Sequence, residues 1–183
     1  TLPLVSEDLM SAFKSENDCV ILVSQQVPSN LRQSVFIKGK LILSRLVPIA
    51  SFYQGDYAAD VMRDIESTQR YLSSQRLIDR TNIISIHILC NARHFEKLTQ
   101  KTTDESYFDY NIHDINKLIE NEKIEIHEEQ DFSSVLFCHQ AVKKAFSNHY
   151  ARKEEKKYFY HYLAGFGLKL ASIIILTAGI GLS

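Results

Sequence analysis

The chain has 183 residues, 21 of them basic and 22 acidic, and 45% of the residues are hydrophobic. That length holds one ordinary domain with a real core, or one domain plus an appendage, and so balanced a charge gives no electrostatic ground for nucleic acid as a partner. Residues 1–20 contain no continuous apolar core, so no secretory signal is read there. The opening Thr1 reads as a cut end, with part of the natural protein expected before it.

Residues 19–26, CVILVSQQ, form a β-branched apolar run and are predicted to be a strand. Val27-Pro28-Ser29-Asn30 is a turn signal. Residues 31–37 and 40–47 read as the arms of a hairpin closed at Lys38–Gly39. With that loop, Phe36 faces Leu41, Ser34 faces Leu43 and Arg32 faces Arg45, and like charges directly opposite are unfavourable. Either the register differs, or nearby carboxylates neutralise the arginines, or they await an anion or a partner surface.

Gly55-Asp56 offers a turn and an N-cap. The helix expected over 57–77 has Ala58, Val61, Met62, Ile65 and Leu72 on one side and Asp60, Arg63, Asp64, Arg70 and Arg76 on the other. Residues 83–90 read as a buried strand, 92–101 as a short helix, 106–112 as a strand and 113–121 as a short helix. Residues 123–130 read as a weak, charged strand, and 132–147 as a helix with a long apolar face. The expectation is an α/β domain over 1–150 with a mixed sheet, an N-terminal antiparallel three-strand unit and flanking helices.

The tail changes character. Residues 151–162 are charged, then aromatic, and 163–183 carry only Lys169 as a charge. A membrane-spanning helix needs roughly 20 mostly apolar residues, so a long C-terminal helix anchored in the membrane is expected. Tyr158, Tyr160 and Tyr162 would lie at the interface, and Arg152, Lys153, Lys156 and Lys157 would mark the cytoplasmic side. The competing reading is an amphipathic helix packed on the domain.

Chemistry-bearing patterns are sparse. Cys19, Cys90 and Cys138 are odd in number, far apart and set in apolar runs, so buried reduced thiols and a reducing compartment are expected. Of six glycines, only Gly39 and Gly55 precede residue 165. Neither GxGxxG nor GxxxxGK[ST] is present, which speaks against a self-contained nucleotide site, and no cofactor is expected. His87 and Cys90 alternate through a strand and so point to opposite faces. Cys138 adjoins His139, and ordinary packing is the reading for all four. There is no HExxH, no GxSxG and no carboxylate pair of catalytic pattern, so no catalytic and no metal residues are assigned. The residues left to explain are Arg32 and Arg45, with Asp60, Asp64 and Glu66 on the following helix as ion-pair partners.

The phrases Lys38-Gly39-Lys40-Leu41 with Ser44-Arg45, and Asp64-Ile65-Glu66-Ser67 with Tyr71, follow one another on a strand, a hairpin and a helix. In that order they resemble the second half of the actin-like proteins of bacterial envelope machines. This group includes the type IV pilus assembly protein PilM and the cytoplasmic part of the type II secretion protein GspL. The stretch from Asn148 to Ser172 resembles the join to a transmembrane helix in membrane-anchored relatives. The resemblance implies a degenerate half of an actin-like, ribonuclease H-like fold. It further implies a non-enzymatic scaffold at the bacterial inner membrane, with its soluble domain in the cytoplasm. Its partners would be other inner-membrane pilus or secretion components, with self-association left open. Nucleotide-binding members carry an acidic residue and a glycine where this chain has Ser24 to Asn30 with neither. The rival readings are an actin-like ATPase completed by a missing N-terminal half, and a soluble regulatory interaction domain.

Overall fold

The computed structural model describes residues 2–10, 13, 15–26, 29–52, 55–79, 81–102, 107–126, 128, 130–143, 157, 160–162 and 164–169. They belong to two units, Thr1–Phe146 and Ser147–Ser183.

The first unit is α/β, with one five-stranded mixed sheet in the order β3-β2-β1-β4-β5. The strands are β1 (Cys19–Gln26), β2 (Asn30–Ile37), β3 (Lys40–Pro48), β4 (Ile84–Cys90) and β5 (Phe108–Asp114). β1, β2 and β3 pair antiparallel, and β1–β4 and β4–β5 pair parallel, so β2 alone runs against the others. Parallel neighbours need crossovers. Helix α2 (Tyr57–Ser74) connects β3 to β4, and α3 (Ala92–Lys101) connects β4 to β5. Each starts on its own cap: Ala59 N donates to Asp56 Oδ1 at 3.0 Å, and His94 N donates to Asn91 Oδ1 at 3.2 Å.

Every residue of β1 and β4 is buried, because helices cover both faces of the sheet. On one face, Ile21, Val23, Val35, Ile84, Ile86 and Ile88 pack with Val61, Ile65 and Leu72 of α2 and Leu98 of α3. On the other, Val20, Leu22, Phe36 and Leu89 pack with three further helices. These are α1 (Leu2–Met10), α4 (Ile115–Asn121) and α5 (Ser134–Lys143).

The structure departs from the sequence reading at several points. Helix α1 was not expected. It is short, with Pro3 in its first turn, and it packs Val5 and Leu9 against the sheet. No strand forms at Ile124 and Ile126, whose alternation instead seats both partly buried in the second cluster. Cys138 is exposed, not buried like Cys19 and Cys90.

In the second unit, residues 160–162 and 164–169 are helical. Among the described residues no helix is long and apolar enough to cross a membrane. The span expected at 163–183 lies mostly outside the described residues, as do Arg152, Lys153, Lys156 and Tyr158 of the expected interface.

Candidate functional site

The loop of the hairpin is Lys38–Gly39, with φ of 51° and 74°, as a type I′ turn requires at both central positions. Phe36 faces Leu41, and then the register slips by one residue, so that Val35 faces Leu43. Ile42 is the extra residue of a β-bulge. Beyond it Ser34 faces Ser44, Gln33 faces Arg45 and Arg32 faces Leu46. This corrects the simple hairpin register. Since neighbouring side chains alternate faces, the bulge sends the two arginines to opposite sides of the sheet.

Arg45 meets α2. Its Nη2 donates to Asp64 Oδ1 at 2.5 Å and to the Asp64 carbonyl at 3.2 Å. The other carboxylate oxygen of Asp64 accepts from Gln33 Nε2 at 2.7 Å, and Thr68 Oγ1 donates to Gln33 Oε1. Gln33 and Thr68 are fully buried. This is a hairpin-to-helix fastening in which each carboxylate oxygen has a donor. Asp60 is not part of it: it pairs with Arg63 on its own helix, and Glu66 pairs with Arg70 at 3.5 Å. On the opposite face, Arg32 Nη1 donates to Ser44 Oγ at 3.1 Å. Among the described residues Arg32 meets no carboxylate, and burial lowers its pKa.

In open α/β sheets, ligands bind beyond the carboxyl ends of the parallel strands. Here that edge is filled by the chain itself. Tyr57 Oη donates to Gln25 Oε1 at 2.9 Å. Ser133 donates twice to the Gln25 carbonyl, from Oγ at 2.7 Å and from N at 3.2 Å. Gln26 Nε2 donates to Ser24 Oγ and to Ser133 Oγ, both at 3.1 Å. Beside β4, Asn91 Nδ2 donates to Asp131 Oδ1 at 2.5 Å, and the His94 ring stacks on Tyr57 at 4.1 Å. Gln25, Ser24 and Ser133 are at most 1% exposed. The hydroxyl of Ser133 is engaged as donor and acceptor, and among the described residues no base is hydrogen-bonded to it.

Cys19 and Cys90 are unsuited to nucleophilic chemistry, because burial pushes their thiols up to about 11 and about 12. His87 and Cys90 do lie on opposite faces. Sequence spacing missed the residue His87 actually meets, His113, which is 26 positions away on β5. Among the described residues no group of three or more His, Cys, Asp or Glu could hold a metal ion. On the outside, Ile42 and Leu46 of the edge strand β3 are exposed. A groove of about 500 Å³ runs where the end of β3 meets α2, lined by Pro48, Ile49, Asp60, Arg63 and Arg70.

No family model, curated protein or solved structure matches the chain.

Proposed function

We propose that this chain is a non-enzymatic assembly component: a degenerate actin-like half-domain that works by docking. It would be held at the bacterial inner membrane by its C-terminal segment, with the body on the cytoplasmic side. Its partners would be other inner-membrane parts of a pilus or secretion machine, and the domain would transmit position between them. The observation that carries the reading is the filled carboxyl edge of β1, where Ser133 occupies the Gln25 carbonyl and Gln26 reaches Ser133. A triphosphate needs open space and free N–H groups there, and in this chain Ser133 fills the space beside the Gln25 carbonyl. Further support comes from a strand, a hairpin and a capped helix that follow one another as the resemblance requires. The exposed Ile42 and Leu46, with the groove beside Arg63 and Arg70, offer docking ground.

Equilibrium binding of labelled ATP with magnesium tests the reading. The expected result is no saturable binding up to about 1 mM, well above the range in which a real site would fill. Stoichiometric, magnesium-dependent binding would overturn it in favour of an actin-like ATPase. Flotation with anionic vesicles tests the anchor: the full chain should float, and a chain ending at residue 150 should stay behind.

A further inference from the structure

We infer that His87 and His113 form a protonation-controlled clasp that holds the segment before β1 against the sheet and lets it go in acid. The inference is independent of the assembly reading. Parallel pairing of β4 and β5 sets Leu89 beside His113 and His87 beside Asn111, so the two imidazoles lie diagonally on one face. His87 Nδ1 and His113 Nε2 are 3.0 Å apart. Phe13, from the segment joining α1 to β1, lies against both rings, at 5.1 Å from His87 and 4.4 Å from His113.

The hydrogen-bond inventory fixes where the protons belong. A bond between two imidazoles needs one N–H and one bare nitrogen. His87 Nε2 is buried and has no partner among the described residues. A proton there would be a donor without an acceptor, so the favoured tautomer has His87 Nδ1–H donating to a bare His113 Nε2. A further proton has no good place. On His113 Nε2 it sets N–H against N–H, and on His87 Nε2 it is buried unpaired. Burial accordingly lowers His87, and burial together with His87 pushes His113 down to about 4.

Among the described residues the charged groups around the pair are few. Asp109 on β5 favours a proton on His87, and His87 opposes a proton on His113. The same Asp109 accepts from Ser85 Oγ at 3.1 Å, and Ser85 is held by Ser15 at 2.9 Å and Asn17 at 2.8 Å. Glu7 of α1 borders a cavity of about 290 Å³ with Met10, Phe13, Val20 and Phe36. The cavity is partly open to solvent, so the segment that carries Phe13 can open without disrupting the α2 face of the sheet. Opening returns both rings to ordinary basicity, so the open form takes up protons that the closed form refuses. Its population therefore rises as pH falls from about 6.5 toward about 4.

Hydrogen exchange on the full chain reads this directly, with each rate divided by the intrinsic rate of the unstructured peptide at that pH. Protection of 2–17 should lie below that of α2 and fall about tenfold or more between about pH 7.5 and about pH 5. In His113→Gln, whose amide oxygen still accepts but does not titrate, the fall should shrink below about threefold. Protection of 2–17 that is constant with pH, protection equal to that of α2, or an undiminished fall in the variant would overturn the clasp. Should His113→Gln fail to fold, imidazole NMR titration of the natural chain decides. Both rings should titrate well below the ordinary histidine value, and either one titrating at about 6.5 refutes the inference.

Discussion

The two faces of the sheet are built from the same strands yet differ in kind. Toward α2 and α3, β1 and β4 present Cys19, Ile21, Val23, Ile84, Ile86, Ile88 and Cys90, a nearly unbroken apolar surface. Toward α1, α4 and α5 the alternate positions bring Ser24, Ser34, Ser85 and His87 in among Val20, Leu22, Phe36 and Leu89. Along β1 and β4 the first face gains mainly from apolar area, with its polar fastenings, Gln33 to Asp64 and Gln25 to Tyr57, toward the margins. The second depends on hydrogen bonds with definite donors and acceptors, which one proton can upset. Rigidity and responsiveness are thus divided between the sides of a single layer.

That division can be broken or sharpened by substitution. The largest effect is expected on the apolar face. Ile86→Ala, at a fully buried position, should cost about 4 kcal/mol of global stability in urea unfolding. A loss under about 2 kcal/mol would mean that this face is not the dominant core. Next, Arg45→Met removes the donor at 2.5 Å from Asp64 while Gln33 still holds the other oxygen. Since the arginine is 30% exposed, the cost should be about 1.5 kcal/mol, measured the same way. Unchanged stability with lost assembly would instead support a docking role for Arg45. The smallest effect belongs to the hairpin loop. An added Cβ at Gly39 meets nothing within 4 Å, so Gly39→Ala pays only for its φ of +74°. A drop of about 1 kcal/mol is expected, and no change would show that the loop does not set the register.

Much of the fold was legible because local signals agreed with the tertiary outcome. Asp56 caps α2, Asn91 caps α3, and the β-branched runs at 19–26 and 84–90 became the two central strands. What escaped was non-local. In Leu41-Ile42-Leu43 any of the three could face the core, so the sequence carries no mark of which residue bulges, and the arginine register was misjudged by one. The His87–His113 contact joins separate strands, and no spacing rule links positions so far apart. The filled strand edge depends on Ser133, which returns to Gln25 from 108 residues downstream. Asp64 was legible as a carboxylate for Arg45. Asp60, one turn away, turned to its own helix because Arg63 lay closer.

The supernumerary residue in β3 has a bearing on solubility. β3 is an outer strand of the sheet, with unpaired peptide groups and two exposed aliphatic side chains, Ile42 and Leu46. Outer strands of that composition invite copies of themselves to stack into fibres. A kink at Ile42 interrupts the even spacing that such stacking demands, while Lys40 and Pro48 close the strand at either end. The irregularity that separates the arginines is thus also of the kind by which outer strands are made poor templates for a second copy.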